Sequence, residues 1–188
     1  MGMRIHVVGL PGSGKTTLAR RLAEHLHLEH IELDALMHLP GWTPRPDEDF
    51  RRVVGERLEA GRWVVDGNYG LVRPLVWAKV DVVIWLDLPR RVVFPALVAR
   101  SFRRVWTREE LWNGNQERWT GLFAPRKEDN LLLWAMHKWP QHQELYGRLQ
   151  VCPPRPGVEV VRLRARWQVD ALVEEAVRRW GDEGPCHK

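Results

Sequence analysis

Residues 9–17 read GLPGSGKTT, and their types and spacing suit one kind of chemistry. Gly9, Gly14, Lys15 and Thr16 meet the pattern G-x-x-x-x-G-K-T between an apolar run and a helix-like stretch. Successive backbone N–H groups in such a loop form a nest for an anion, and the helix that follows adds roughly half a positive charge. Lys15 suits the β- and γ-phosphates of a nucleotide, and the Thr16 hydroxyl suits one position on Mg²⁺. The sequence therefore asks what happens to the phosphate: transfer, mechanical use or sensing.

Carboxylates decide between these. Asp66 closes the apolar run WVVD, where it can complete the magnesium shell, often through water. Its plainer role is that of a turn aspartate before Gly67. Asp34 ends HIELD, residues 30–34, which reads as a strand whose carboxyl end shares a crevice with that of Asp66. There it could orient or deprotonate an acceptor hydroxyl, or it could cap the helix that starts at ALMHL. Arg100, Arg103 and Arg104 stand at i, i+3 and i+4, on one helical face. Such a face can neutralise a phosphoryl group in transfer; it can equally be a solvated basic face paired with Glu109, Glu110 or Glu117. Arg73, shortly after Asp66, could reach an anionic acceptor. The eight histidines show no metal spacing, and His25, His27 and His30 read as structural or solvent-facing.

These residues need a scaffold that brings strand ends together. Residues 4–8, 30–34, 63–66, 80–86 and 158–163 read as short apolar strands. Helices are expected at 14–27, at 47–60 with Asp47 or Asp49 as cap, from Pro89 onward with a kink at Pro95, and at 168–180. Residues 107–146 are helical and polar, with a capping box of Thr107 and Glu110, a turn at 113–115 and a helix at 126–138. Strands alternating with helices imply right-handed crossovers and a parallel sheet covered on both sides, a three-layer α/β domain. The stretch at about 101–146 is too long for a simple crossover and is expected to form a helical cap inserted into a single domain spanning 1–188.

Composition narrows the class. Hydrophobic residues make up 44% and charged residues 28%, the balance of a globular chain rather than a disordered one. No stretch approaches the roughly 20 apolar residues of a membrane span, so a cytoplasmic location is expected. The net charge of +5 suits nucleotides or nucleic acid, but basic residues alternate with acids and no DNA-reading motif appears. Eleven tryptophans are many for this length. Trp63, Trp85 and Trp134 extend apolar runs and are expected in the core, with stacking on bases the sharper alternative. Cys152 and Cys186 lack metal or disulfide spacing and read as free thiols.

GLPGSGKTTLA, LDALMHLPGW (33–42), WVVDGNY (63–69) and WLDLPR (85–90) resemble a bacterial family of adenylate-kinase-like P-loop proteins, often labelled topology modulation or FlaR-like. The order of motifs is also similar to the nucleoside monophosphate kinase fold, which implies a P-loop NTPase with a five-stranded parallel sheet and a lid. The resemblance implies that Gly9, Pro11, Gly12, Ser13, Gly14, Lys15, Thr16 and Thr17 bind ATP, and that Thr16 and Asp66 hold Mg²⁺. It implies catalytic roles for Lys15, Asp34, Asp66, Arg100 and Arg104. Asp34, Trp42, Asn68, Tyr69 and Arg73 would line the acceptor pocket. The kinases continue from this aspartate as D-G-F-P-R, where this chain has Asp66, Gly67, Asn68 and Tyr69, so AMP is not carried over as acceptor. The expected activity is phosphoryl transfer from Mg-ATP to a small acceptor, with a nucleic-acid-binding regulator or an ATPase switch as alternatives.

Overall fold

The computed structural model describes residues 2–117 and 131–181. Five parallel strands, β1 (Arg4–Gly9), β2 (Glu29–Glu32), β5 (Trp63–Asp66), β6 (Val82–Leu86) and β7 (Glu159–Leu163), form one sheet in the order β2-β5-β1-β6-β7. A second pair, β3 (His38–Leu39) and β4 (Thr43–Pro44), is antiparallel. The helices are α1 (Lys15–Leu26), α2 (Leu33–Met37), α3 (Asp47–Arg57), α4 (Arg73–Lys79), α5 (Arg90–Thr107), α6 (Leu131–Arg148) and α7 (Arg166–Trp180).

Side chains alternate across a strand, so each strand feeds both faces of the sheet. Ile5, Val7, Val64, Val82 and Ile84 pack beneath Leu18 and Leu22 of α1 and Leu172 and Val173 of α7. Ile31, Trp63, Val65, Val83 and Trp85 pack on the other face, against Phe50 and Val54 of α3, Val76 of α4 and Tyr146 of α6. This is the three-layer α/β arrangement the alternation predicts. Trp63 and Trp85 are core residues as expected, at 0% and 2% exposure. Trp134 is not: it is half-buried on α6 and packs against His142. Fully burying an apolar side chain of this kind contributes about 1.5–3 kcal/mol.

Several local expectations are corrected. The strand expected at 30–34 stops at Glu32, and Leu33 and Asp34 instead open the short helix α2. Leu33 is buried, and turning the chain there seats it against Gly67. The N-cap of α2 is Glu32, so Asp34 is not its cap. Neither Asp47 nor Asp49 caps α3: Pro46 holds that position and both acids lie in the first turn, where their charge interacts favourably with the positive end of the helix dipole. Thr107 ends α5 instead of starting a helix, its Oγ1 donating to the Arg103 carbonyl at 2.9 Å. α5 runs from Arg90 to Thr107 without a break, with Pro95 inside it. Of the helix expected at 126–138, residues 126–130 lie outside the described residues, and α6 runs on to Arg148. Cys152 is a free, exposed thiol, and Cys186 lies outside the described residues. Among the described residues, no helix is long and apolar enough to cross a membrane.

Candidate functional site

The loop between β1 and α1 forms at the carboxyl end of the central strand. Gly9, Gly12 and Gly14 have φ of 152°, 82° and 95°, values that side chains rarely adopt. At Gly12 the requirement is also steric, because a Cβ would lie 2.7 Å from Leu97 Cβ and 2.9 Å from the Val93 carbonyl oxygen. Inside the loop Ser13 is buried, and among the described residues its Oγ has no hydrogen-bond partner. Lys15 Nζ donates back to the Leu10 carbonyl at 3.2 Å. A glycine cradle, an unpaired hydroxyl and an ammonium resting on its own loop fit the phosphates of a nucleotide, which would supply acceptors for all three donors.

Asp66 lies beside this loop, 3% exposed. Its Oδ2 accepts from Thr16 Oγ1 at 2.6 Å and its Oδ1 from His30 Nε2 at 3.1 Å. The two groups expected to hold magnesium are therefore already in contact. Thr16 and Asp66 fit an ion that takes its remaining ligands from phosphate and water, as Mg²⁺ usually does.

Lys15 reports how the other charges are arranged. Burial pushes its pKa down, Asp34 and Asp66 oppose that, Arg100 lowers it further and Glu32 raises it. Asp34 accepts from Tyr69 Oη at 2.6 Å, and Phe50 packs edge-on against the same tyrosine ring. Arg100 is half-buried, and among the described residues its Nε has no hydrogen-bond partner. Burial lowers its pKa, Arg104 adds to this, and Glu117, Asp34 and Glu109 offset it. The three arginines thus divide. Arg104 pairs with Glu117 at 2.9 Å and lies 3.5 Å from Glu109, and the exposed Arg103 reaches Glu109 at 3.3 Å.

The acceptor-side residues scatter more than the sequence suggests. Asn68 clasps the phosphate loop, its amide bonded to both the N–H and the carbonyl of Gly9. Arg73 lies over the Trp77 ring, 5.2 Å from its centroid. Trp42 is bound to the segment after α5: its backbone N–H donates to Asn115 Oδ1 at 2.8 Å and its indole to the Gln116 carbonyl at 3.0 Å. Asn113 and Asn115 donate to the carbonyls of His38 and Leu39, and His38, Trp42 and Trp112 form one ring cluster. The turn expected at 113–115 is thus a strap stitched to the β3–β4 hairpin. A cavity of about 320 Å³ opens beneath it, lined by Thr16, Arg20, Glu32, Arg104, Glu110 and Trp112. Trp167 is exposed at the start of α7.

His6, His30 and Glu32 are the site residues that sequence reasoning misses. Glu32 is the β2 partner of Asp66 in register, and burial pushes its pKa up. The period of two in HIE places His30 and Glu32 on one face of the strand, but nothing local says that this strand lies beside β5. His6 on β1 donates from Nε2 to the Gly67 carbonyl at 3.0 Å, because its Nδ1 accepts from the Trp77 indole at 3.1 Å. It thereby pins the turn that carries Asp66 and Asn68.

Burial lowers the His6 pKa to about 4. The unfolded chain takes up this proton near pH 6.5, so between the two values it binds more protons and stability falls as pH falls. His6 is 2% exposed, and the full effect is about 3 kcal/mol, complete by about pH 4. His142, also lowered to about 4, adds in the same direction. Urea unfolding at pH 7.5 and 4.5 should show this loss, and His6→Gln, which keeps a donor for Gly67, should flatten it by one proton. An unchanged pH slope in that variant would assign the titration elsewhere.

A model of the AAA domain family matches residues 5–110. A shikimate kinase from Synechococcus elongatus is 34% identical over 102 residues, covering 47% of this chain and 54% of that protein. A cytidylate kinase from Pyrococcus horikoshii is 30% identical over 103 residues, covering 47% and 52%. The chain therefore spans about half the length of the curated relatives it matches. The solved shikimate kinase from Bacteroides thetaiotaomicron aligns with a TM-score of 0.55 at 15% identity, covering 94% of this chain and 97% of that one, which establishes likeness of fold.

Proposed function

The chain belongs to the AAA_33 family of AAA domains, and from that premise we propose that it is a small-molecule kinase that transfers the terminal phosphoryl group of Mg-ATP to a hydroxyl of a small acceptor. The observation that carries this reading is the convergence at Lys15 of the fields of Asp34, Asp66 and Arg100. A nucleotide sensor needs the phosphate cradle and the metal carboxylate. It has no use for a further carboxylate and a half-buried guanidinium acting on the same ammonium.

In this reading the backbone N–H groups of Gly12 to Thr17, with Pro11 shaping the loop from Gly9, hold the triphosphate, and Lys15 and Ser13 give up their internal arrangement to it. Thr16 and Asp66 hold Mg²⁺, which when bound screens the phosphate oxygens; His30 keeps Asp66 turned toward Thr16. Asp34 accepts the proton of the acceptor hydroxyl, its orientation fixed by Tyr69. Arg100 neutralises charge on the phosphoryl oxygens, while Arg104, held by Glu117 and Glu109, braces the segment after α5. α5, the strap and α6 act as the lid of this site, with Trp42 the point where strap and hairpin join. Excluding water is what separates transfer from hydrolysis.

Relatives named as shikimate and cytidylate kinases act on unlike acceptors, so the class of acceptor comes from experiment. Mg-ATP consumption should be measured against nucleosides, nucleotides and small hydroxylated metabolites, with product identified by mass. A product above the buffer blank for at least one compound is expected; none across the panel would end the transfer reading. The nucleic-acid alternative needs free cations, and Arg103 and Arg104 are engaged by carboxylates.

A further inference from the structure

α6 carries a buried imidazole that the proposed reaction leaves unused. His142 is 9% exposed, and its Nδ1 has no hydrogen-bond partner among the described residues. Aromatic rings hold it edge-on from two sides: Trp134 at 6.4 Å and 87°, and Tyr146 at 5.5 Å and 85°. Rings fix its direction but give Nδ1 nothing in exchange for the water it has lost. A buried polar atom left unpaired is costly, and native structures carry few of them.

The charges that face His142 are all positive: Lys15 from the phosphate loop, Arg73 from α4 and Lys138 one turn back on α6. Burial is the largest cause holding its pKa at about 4, and each of these cations adds to it. Tyr146, the other titratable group packed on it, is pushed up to about 12 chiefly by burial and is a neutral phenol at working pH. A buried ring nitrogen that lacks a hydrogen bond and sits in the field of Lys15 and Arg73 has the complement of an anion that presents oxygen atoms.

We propose that His142 is a ligand-contacting residue, its Nδ1–H donating to an oxyanion lodged between Lys15 and Arg73. This rests on the Mg-ATP reading of the phosphate loop. The oxyanion is either the terminal phosphate of the nucleotide or an anionic group of the acceptor, and the two sources share one chemistry at the imidazole.

Long-range proton–nitrogen spectra of ¹⁵N-histidine-labelled protein test this, with His142 assigned by its loss in His142→Gln, or in His142→Asn if the first variant does not fold. Mg-ADP, a Mg-bound non-hydrolysable ATP analogue, and inorganic phosphate added to the Mg-ADP complex are titrated separately, with nucleotide binding followed by calorimetry. The expected result is that His142 Nδ1 moves to the shift of a protonated ring nitrogen, with its titration midpoint raised by about one pH unit or more. Movement with the ATP analogue but not with Mg-ADP identifies the terminal phosphate. Movement only when inorganic phosphate joins Mg-ADP identifies an acceptor-side anion. A silent His142 in every arm, with nucleotide bound, overturns the proposal and leaves the kinase reading intact. Absence of nucleotide binding removes that reading and this proposal together.

Discussion

Arg100→Met is expected to lower phosphoryl transfer about 10³-fold, in the range of a lost arginine finger, and to leave stability unchanged or raised by about 1 kcal/mol. The two outcomes have one cause. Arg100 is half-buried, its Nε is unpaired, and its neighbour Arg104 is a like charge. Keeping a guanidinium in such a place costs the empty protein free energy, and an apolar side chain of similar length removes that cost. Glu117, Asp34 and Glu109 offset part of that cost, and an arriving anion, such as a phosphoryl group in flight, offsets more of it. Arg104→Met should behave in the opposite way. It breaks contacts with Glu117 and Glu109, so stability should fall while the transfer rate falls less than in the Arg100 variant. Steady-state transfer with an acceptor found in the panel and urea unfolding of both variants supply the comparison. An unchanged rate in Arg100→Met, or the larger loss in Arg104→Met, would remove Arg100 from the reacting centre. Arg100→Lys should recover only part of the rate, because an ammonium restores charge without the planar fork.

Asp34→Asn is expected to cost about 10²–10⁴-fold in turnover, the usual share of a positioned general base, with ATP affinity changed by no more than about twofold. The amide oxygen of asparagine can still accept from Tyr69, so the 2.6 Å contact that orients position 34 is kept and only basicity is lost. Asp66→Asn provides the contrast. That position touches Thr16 and His30, so its substitution should show itself as a raised magnesium requirement. Calorimetry of ATP binding with and without Mg²⁺, beside turnover at saturating metal, separates the two. Should Asp34→Asn turn over like the parent, the acceptor's proton goes to another group, and Asp34 serves only to hold Tyr69.

The glycine loop after β1 was legible in the sequence because all of it is local. Nine consecutive residues, 9–17, contain the glycines, the ammonium and the hydroxyl, and chain connectivity alone brings them around one anion. The layered sheet was legible for a related reason: the near-continuous apolar runs in WVVD and VDVVIWL need apolar cover on both faces, and helices on both sides provide it. Asp66 was legible as the last residue of such a strand.

What the sequence left open concerns residues far apart along the chain. The order β2-β5-β1 sets Glu32 opposite Asp66 and brings His30 into hydrogen-bonding reach of it; that register depends on how the whole core fills, which no local spacing encodes. The strand expected at 30–34 ends early because Leu33 finds a better burial against Gly67, a contact across more than thirty residues. The spacing of Arg100, Arg103 and Arg104 is local, and all three lie on α5 as it implies. Yet only the packing of the segment after α5 gives Arg104 an ion pair with Glu117 and, among the described residues, leaves Arg100 Nε without a hydrogen bond. Asn68, Trp42 and His142 follow the same rule. Residue type announced a polar group or a ring, and tertiary contacts decided whether it clasps the loop, ties the strap or is buried between aromatic rings, because the free energy of a polar group is set by the neighbours that replace its water.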